Sequence, residues 1–103
     1  MYLIREIVHC KPGKVKPLIE KFKAMNEIGP RVGMPKMRIM TDFCAEQYWT
    51  AIAEMEVASI EEFEQAMNNP RGSPDDLKAM EKAMDGYHDL VISGRREIFR
   101  IEM

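Results

Sequence analysis

The stretch QYWTAIAEMEV, residues 47–57, decides how this chain folds. Trp49, Ala51, Ala53, Met55 and Val57 fall on one side of an extended strand, and Tyr48, Thr50, Ile52, Glu54 and Glu56 on the other. Successive strand side chains point to opposite faces, so the pattern predicts one dry face and one polar face. The small alanines let helices come close to the dry side. Whether Thr50 and Glu54 meet water or line an interior depends on what surrounds the strand.

The neighbouring segments supply that context. KMRIMTDFC, residues 36–44, predicts a preceding strand, joined to 47–57 as a hairpin through Ala45-Glu46. That turn lacks the Asn-Gly or Asp-Gly signature, so its length is not fixed. YLIREIVHC, residues 2–10, predicts a first strand closed by Pro12-Gly13. A helix opens near Gly13 or Lys14, with Val15, Leu18, Ile19, Phe22 and Met25 forming one stripe at spacings of three and four. Pro17 falls early, where its missing N–H costs little, and Gly29-Pro30 ends the helix. After the central strand, Ser59 with Glu62 three residues later forms a capping box. Ile60, Phe63 and Met67 make the inner stripe of that helix. Ser73-Pro74-Asp75-Asp76 starts another, with Leu77, Met80, Met84, Tyr87 and Val91 along one face and Ser93-Gly94 as its stop. RREIFRIEM, residues 95–103, reads as the last strand.

The order is β-α-β-β-α-α-β. With the two consecutive helices taken as one crossover broken into two, it is the ferredoxin-like βαββαβ arrangement, an α+β fold with a four-stranded antiparallel sheet. Its 103 residues suit a single domain over 1–103. Helices cover one sheet face in this topology and leave the other bare, which calls for a covering partner, here a second copy of the chain.

Composition excludes several function classes. The chain is 46% apolar and 31% charged, with a formal net charge of −2, and it has no basic stripe for nucleic acid. No apolar run reaches membrane length, and Arg5 and Glu6 interrupt the first strand, so neither a signal peptide nor a membrane span is expected. Cys10 and Cys44 form no disulfide framework and have no metal spacing; both read as small buried hydrophobes in a protein of the reducing cytoplasm. No metal site and no cofactor are expected. Ten methionines suit an adaptable core or pocket.

MYLIREIVHCKPGKVKPLIEKF resembles the opening of NIPSNAP-type proteins: a strand, a Lys-Pro-Gly-Lys turn and an amphipathic helix. YWTAIAEMEVASIEEFEQA resembles their third strand running into a capped helix, and LVISGRREIFRIE resembles their ending. The wider group, the dimeric α+β barrels, includes antibiotic-biosynthesis-type monooxygenases, heme-degrading enzymes, muconolactone isomerase-like and EthD-like proteins. The resemblance implies a homodimer packed sheet on sheet, with a pocket between sheet and helices or at the barrel mouth. The heme-degrading branch uses an axial histidine on a helix with a partnering Asn and Trp, a set not carried over here. The group's chemistry varies, so fold alone does not settle function.

The candidate site residues follow from the strand positions. The first and third strands are central. Trp49 belongs with the helix-facing side, while Thr50 and Glu54 face the barrel. A buried Glu54 needs a partner or a raised pKa, and it is either an acid–base group or half of an ion pair. Arg5 is the first partner to test; it could instead hold a substrate carboxylate. His9, beside the Pro-Gly turn, is a candidate general base or simply a half-exposed strand end. Tyr48 and Trp49 are candidate pocket aromatics. His9 and Glu54 are thus the expected catalytic pair, with Arg5, Tyr48, Thr50 and Trp49 binding substrate. The expected function is a small cofactor-free enzyme, of monooxygenase or isomerase type, acting on a small, partly apolar molecule. The alternative is a non-catalytic ligand-binding or interaction module, and a heme-handling protein is a third possibility.

Overall fold

Alternation in the first strand, β1 (Tyr2–Cys10), sorts its side chains without ambiguity. Ile4, Val8 and Cys10 are buried under helices, and Glu6 shares their face; Leu3, Arg5, Ile7 and His9 take the other. Gly13, at φ +78°, makes the turn that releases the chain from the sheet. Helix α1 (Val15–Ile28) then buries Leu18 and Phe22. A 3₁₀ turn, Gly29–Val32, follows and ends on the left-handed Gly33. Asn26 clamps the next segment to α1, accepting from Met37 N–H and donating to Met37 O, both at 2.8 Å.

Strands β2 (Arg38–Thr41) and β3 (Thr50–Val57) come next, then α2 (Ile60–Asn68), α3 (Pro74–Met84), a single turn α4 (Tyr87–Leu90) and β4 (Val91–Arg100). A computed structural model describes all of residues 1–103. The sheet order is β2-β3-β1-β4 with antiparallel pairing throughout. This is the expected ferredoxin-like sheet, with β1 and β3 central and the helices on one face. Ala51 and Ala53 lie under α1 beside Val8, Leu18 and Phe22. Ile4, Met55, Val57 and Phe63 form a second cluster. The opposite face carries only its own side chains, and the molecule is a slab 18 Å thick.

Several expectations need correction. β3 begins at Thr50, not Gln47, and β2 spans Arg38–Thr41 rather than 36–44. Asp42 closes the ladder early: its N–H donates to Thr50 O, and its carboxylate accepts from Thr50 N–H at 2.8 Å. The connection is therefore a loop over 43–49 and not a tight turn at Ala45-Glu46. Trp49 and Tyr48 belong to that loop. Trp49 has φ 60°, a left-handed backbone that takes it out of the strand alternation and leaves it 42% exposed rather than helix-facing. The long second-crossover helix stops at Met84, broken by Asp85 and the left-handed Gly86, and Ser93-Gly94 lie inside β4. The crossover thus has three helical pieces instead of two. Cys44, expected buried, is exposed in the 43–49 loop, whereas Cys10 is buried.

Candidate functional site

The register of the sheet places one charged residue from each strand in a single row on the open face. Arg38 on β2 stands opposite Glu54 on β3, Glu54 opposite Arg5 on β1, and Arg5 opposite Glu97 on β4. Arg38 Nη2 donates to Glu54 Oε1 at 2.8 Å, and Arg5 Nε lies 2.8 Å from Glu54 Oε2. The Arg5 N–H is close but poorly aligned, so this second contact is mainly coulombic. Arg5 Nη1 reaches Glu97 Oε1 at 3.4 Å. Glu54 is only 8% exposed, yet its cover consists of neighbouring side chains on an open face and not a second protein layer. The Arg38 hydrogen bond, aided by attraction to both arginines, outweighs desolvation and holds the Glu54 carboxyl below the ordinary carboxylate range. A carboxylate kept ionised in this way is a poor proton acceptor near neutrality.

His9 and Thr50 form a separate pair four register positions toward one end of the sheet. His9 Nδ1 lies 3.2 Å from Thr50 Oγ1, which itself donates to Gln47 O at 2.8 Å. Tyr48 and Trp49 line a shallow depression of about 380 Å³ with Val15, Thr41 and Asp42. Tyr48 is 84% exposed. The six residues expected to form one site therefore occupy three places: the charged row, the His9–Thr50 pair and the 43–49 loop.

On the helix side, between β1, β3, β4 and the helices, lies a narrower cavity of about 190 Å³. Met25, Met34, Met37, Met55, Met67 and Met84 line it together with Phe22 and Phe63. One end is polar. Glu6 Oε1 receives Arg96 Nε, and the Arg96 guanidinium lies 5.0 Å over the Phe63 ring. Tyr87, at the start of α4, lines the same cavity. Burial, with a smaller push from the Glu6 charge, raises its phenol above the ordinary tyrosine value, so it remains a neutral donor at pH 7. Burial likewise pushes up the Cys10 thiol, helped by Asp42. No three His, Cys, Asp or Glu side chains converge as a metal would require.

Glu6, Arg96 and the methionine lining were not singled out from sequence. One signal was available: Glu6 alternates with Ile4 and Val8, so a carboxylate had to stand on the buried face of β1. Its partner lies 90 residues away on an outer strand and emerges only with the sheet register.

This combination of an open four-stranded sheet and one-sided helical cover is shared with several solved structures. An uncharacterized NIPSNAP domain protein from Burkholderia xenovorans superposes with TM-score 0.77 at 8% identity, covering 98% of this chain and 94% of that one. A NIPSNAP family protein from Agrobacterium tumefaciens gives 0.72 at 10% identity, covering 96% and 90%. A provisionally named antibiotic biosynthesis monooxygenase from Nitrosomonas europaea gives 0.72 at 11% identity over 100% of both chains. At these identities the likeness is one of fold. No family model and no curated protein matches the sequence.

Proposed function

We propose that this protein is a homodimeric barrel whose protomer takes a small, partly apolar molecule into the cavity between sheet and helices. The supporting observation is a cavity lined by six methionines, with Glu6, Arg96 and Tyr87 at its polar end. An apolar pocket with a few convergent polar groups is the usual form of a ligand site, and unbranched thioethers adapt to varied shapes. A carboxylate, a guanidinium and a neutral phenol beside an apolar ligand can orient it through hydrogen bonds, which suits a cofactor-free enzyme of monooxygenase or isomerase type. On this reading the Arg5–Glu54 pair belongs to the dimer face. His9, Thr50, Tyr48 and Trp49 lie at one end of the sheet, where the closed barrel would present its rim, and His9 is the proton-transfer group available there. The free thiols of Cys10 and Cys44 fit a reducing, cytoplasmic setting.

A second reading, a binding module without chemistry, draws on the engagement of Glu54 by two arginines and its placement on the face opposite the cavity. Binding is common to both readings and is tested first. With methionine methyls labelled with carbon-13, titration with toluene should shift the signals of Met25, Met34, Met37, Met55, Met67 and Met84. Met40 on β2, Met80 on α3 and the terminal Met103 should stay in place. Shifts confined to Met40, or none at saturating toluene, would remove the cavity as the site. Steady-state turnover of a bound compound would then favour the enzyme over the module.

A further inference from the structure

The polar end of the cavity has more hydrogen-bonding capacity than the chain itself uses. Glu6 spends Oε1 on Arg96 Nε. The only side-chain hydrogen bond here joins Arg96 Nε to Glu6 Oε1, which leaves Glu6 Oε2, both terminal nitrogens of Arg96 and the Tyr87 hydroxyl to solvent or a ligand. All three side chains line the same cavity. The side chains of Arg96 and Glu6 are 43% and 28% exposed, so the pair stands where the cavity meets solvent. A ligand entering there meets a full negative charge and a full positive charge in contact with each other, so the local charge is balanced.

That balance selects the head group. A carboxylate gains from Arg96 but meets Glu6, and an ammonium gains from Glu6 but meets Arg96. A neutral group that both donates and accepts satisfies the free carboxylate oxygen and the free guanidinium nitrogens without disturbing the pair. The cavity sets the size of the body. A space of about 190 Å³ is somewhat larger than the roughly 150 Å³ apolar cavity that holds benzene. We propose that Glu6, Arg96 and Tyr87 make this cavity selective for neutral molecules: a single-ring or similarly sized apolar body bearing a hydroxyl or primary amide. This selectivity rests on the cavity being the ligand site.

A matched series of one-ring probes tests it at pH 7, with affinities read from the methionine methyl signals. Benzyl alcohol and benzamide should bind at least several-fold more tightly than toluene, which lacks the head group. Benzoate and benzylamine should bind about tenfold more weakly than benzyl alcohol. Glu6→Gln removes the negative charge and leaves Arg96 unbalanced, so benzoate should overtake benzylamine in that variant. Tyr87→Phe should weaken benzyl alcohol and leave toluene unchanged. If toluene binds but benzoate or benzylamine equals benzyl alcohol in the unaltered protein, the selectivity is wrong and the cavity reading stands. If no probe binds, toluene included, both fall. The comparison within the unaltered protein decides the matter even if the Glu6→Gln chain fails to fold.

Discussion

Glu6 and Glu54 are carboxylates on the two central strands, and the sheet gives them opposite surroundings. Glu54 is held ionised by Arg38 and Arg5. A folded pKa below the unfolded value contributes stability in full above the ordinary carboxylate range and loses it as pH falls through the lowered value. Glu54→Gln should therefore cost about 1 kcal/mol at pH 7, allowing for screening of a pair that water reaches. The deficit should shrink to nothing in acid, as read from urea unfolding at a series of pH values; a deficit constant across pH would show that the charge is not what matters. The two cysteines differ just as clearly. Exposed Cys44 should be alkylated by iodoacetamide in the native protein, whereas buried Cys10 should react only on unfolding. Mass spectrometry should find one adduct before denaturation and two after, and equal native rates would contradict the burial. The Arg5–Glu54 pairing was legible in the sequence because both residues stand on the polar sides of strands expected to be central. The Glu6–Arg96 pairing was not, because it depends on a register between the first and last strands that no local pattern encodes.

The caps and turns set the element boundaries. Ser73 accepts from Asp76 N–H at 3.1 Å, and the Asp76 carboxylate accepts from Ser73 N–H, a complete capping box at the head of α3. Ser73→Ala should cost about 1 kcal/mol in denaturant unfolding. Just before it, Gly72 sits at φ +113°, and a Cβ there would come within 2.9 Å of Arg31 O. Gly72→Ala should cost more than Ser73→Ala, since both backbone conformation and space oppose it; a neutral Gly72→Ala would mean that this turn is free to move. Both α2 and α3 starts were readable because capping is local chemistry written in four residues. At α2, Ser59 accepts from Glu62 N–H as expected, while the Glu62 carboxylate reaches back to Ala58 N–H. The ends of β2 and β3 were hidden because the pairing of Asp42 with Thr50 overrides the alternation that runs on through Trp49. The end of α3 was signalled by Asp85-Gly86 but masked by Tyr87 and Val91, which continue the helical spacing into what becomes α4 and β4.

At the scale of the whole molecule, one face of the sheet carries no helices. Leu3, Ile7, Ile52 and Phe99 stand on it around the charged row, with Phe99 49% exposed. Along the row Arg38, Glu54, Arg5 and Glu97 alternate in sign. Such a row is self-complementary when a two-fold axis runs along the strands, because each positive group then meets a negative one. The element order made the bare face foreseeable, and the register supplied the alternation. Two copies packed on this face would bury Glu54 further and leave the helix-side cavities facing outward, one per protomer. The central claim is that the barrel is closed by a second copy, and sedimentation equilibrium tests it most directly. At micromolar concentration the protein should sediment at twice the chain mass, and Ile52→Asp, which places an unpaired charge in the middle of the face, should sediment as a folded monomer. An unaltered protein that sediments at the mass of one chain would contradict the account.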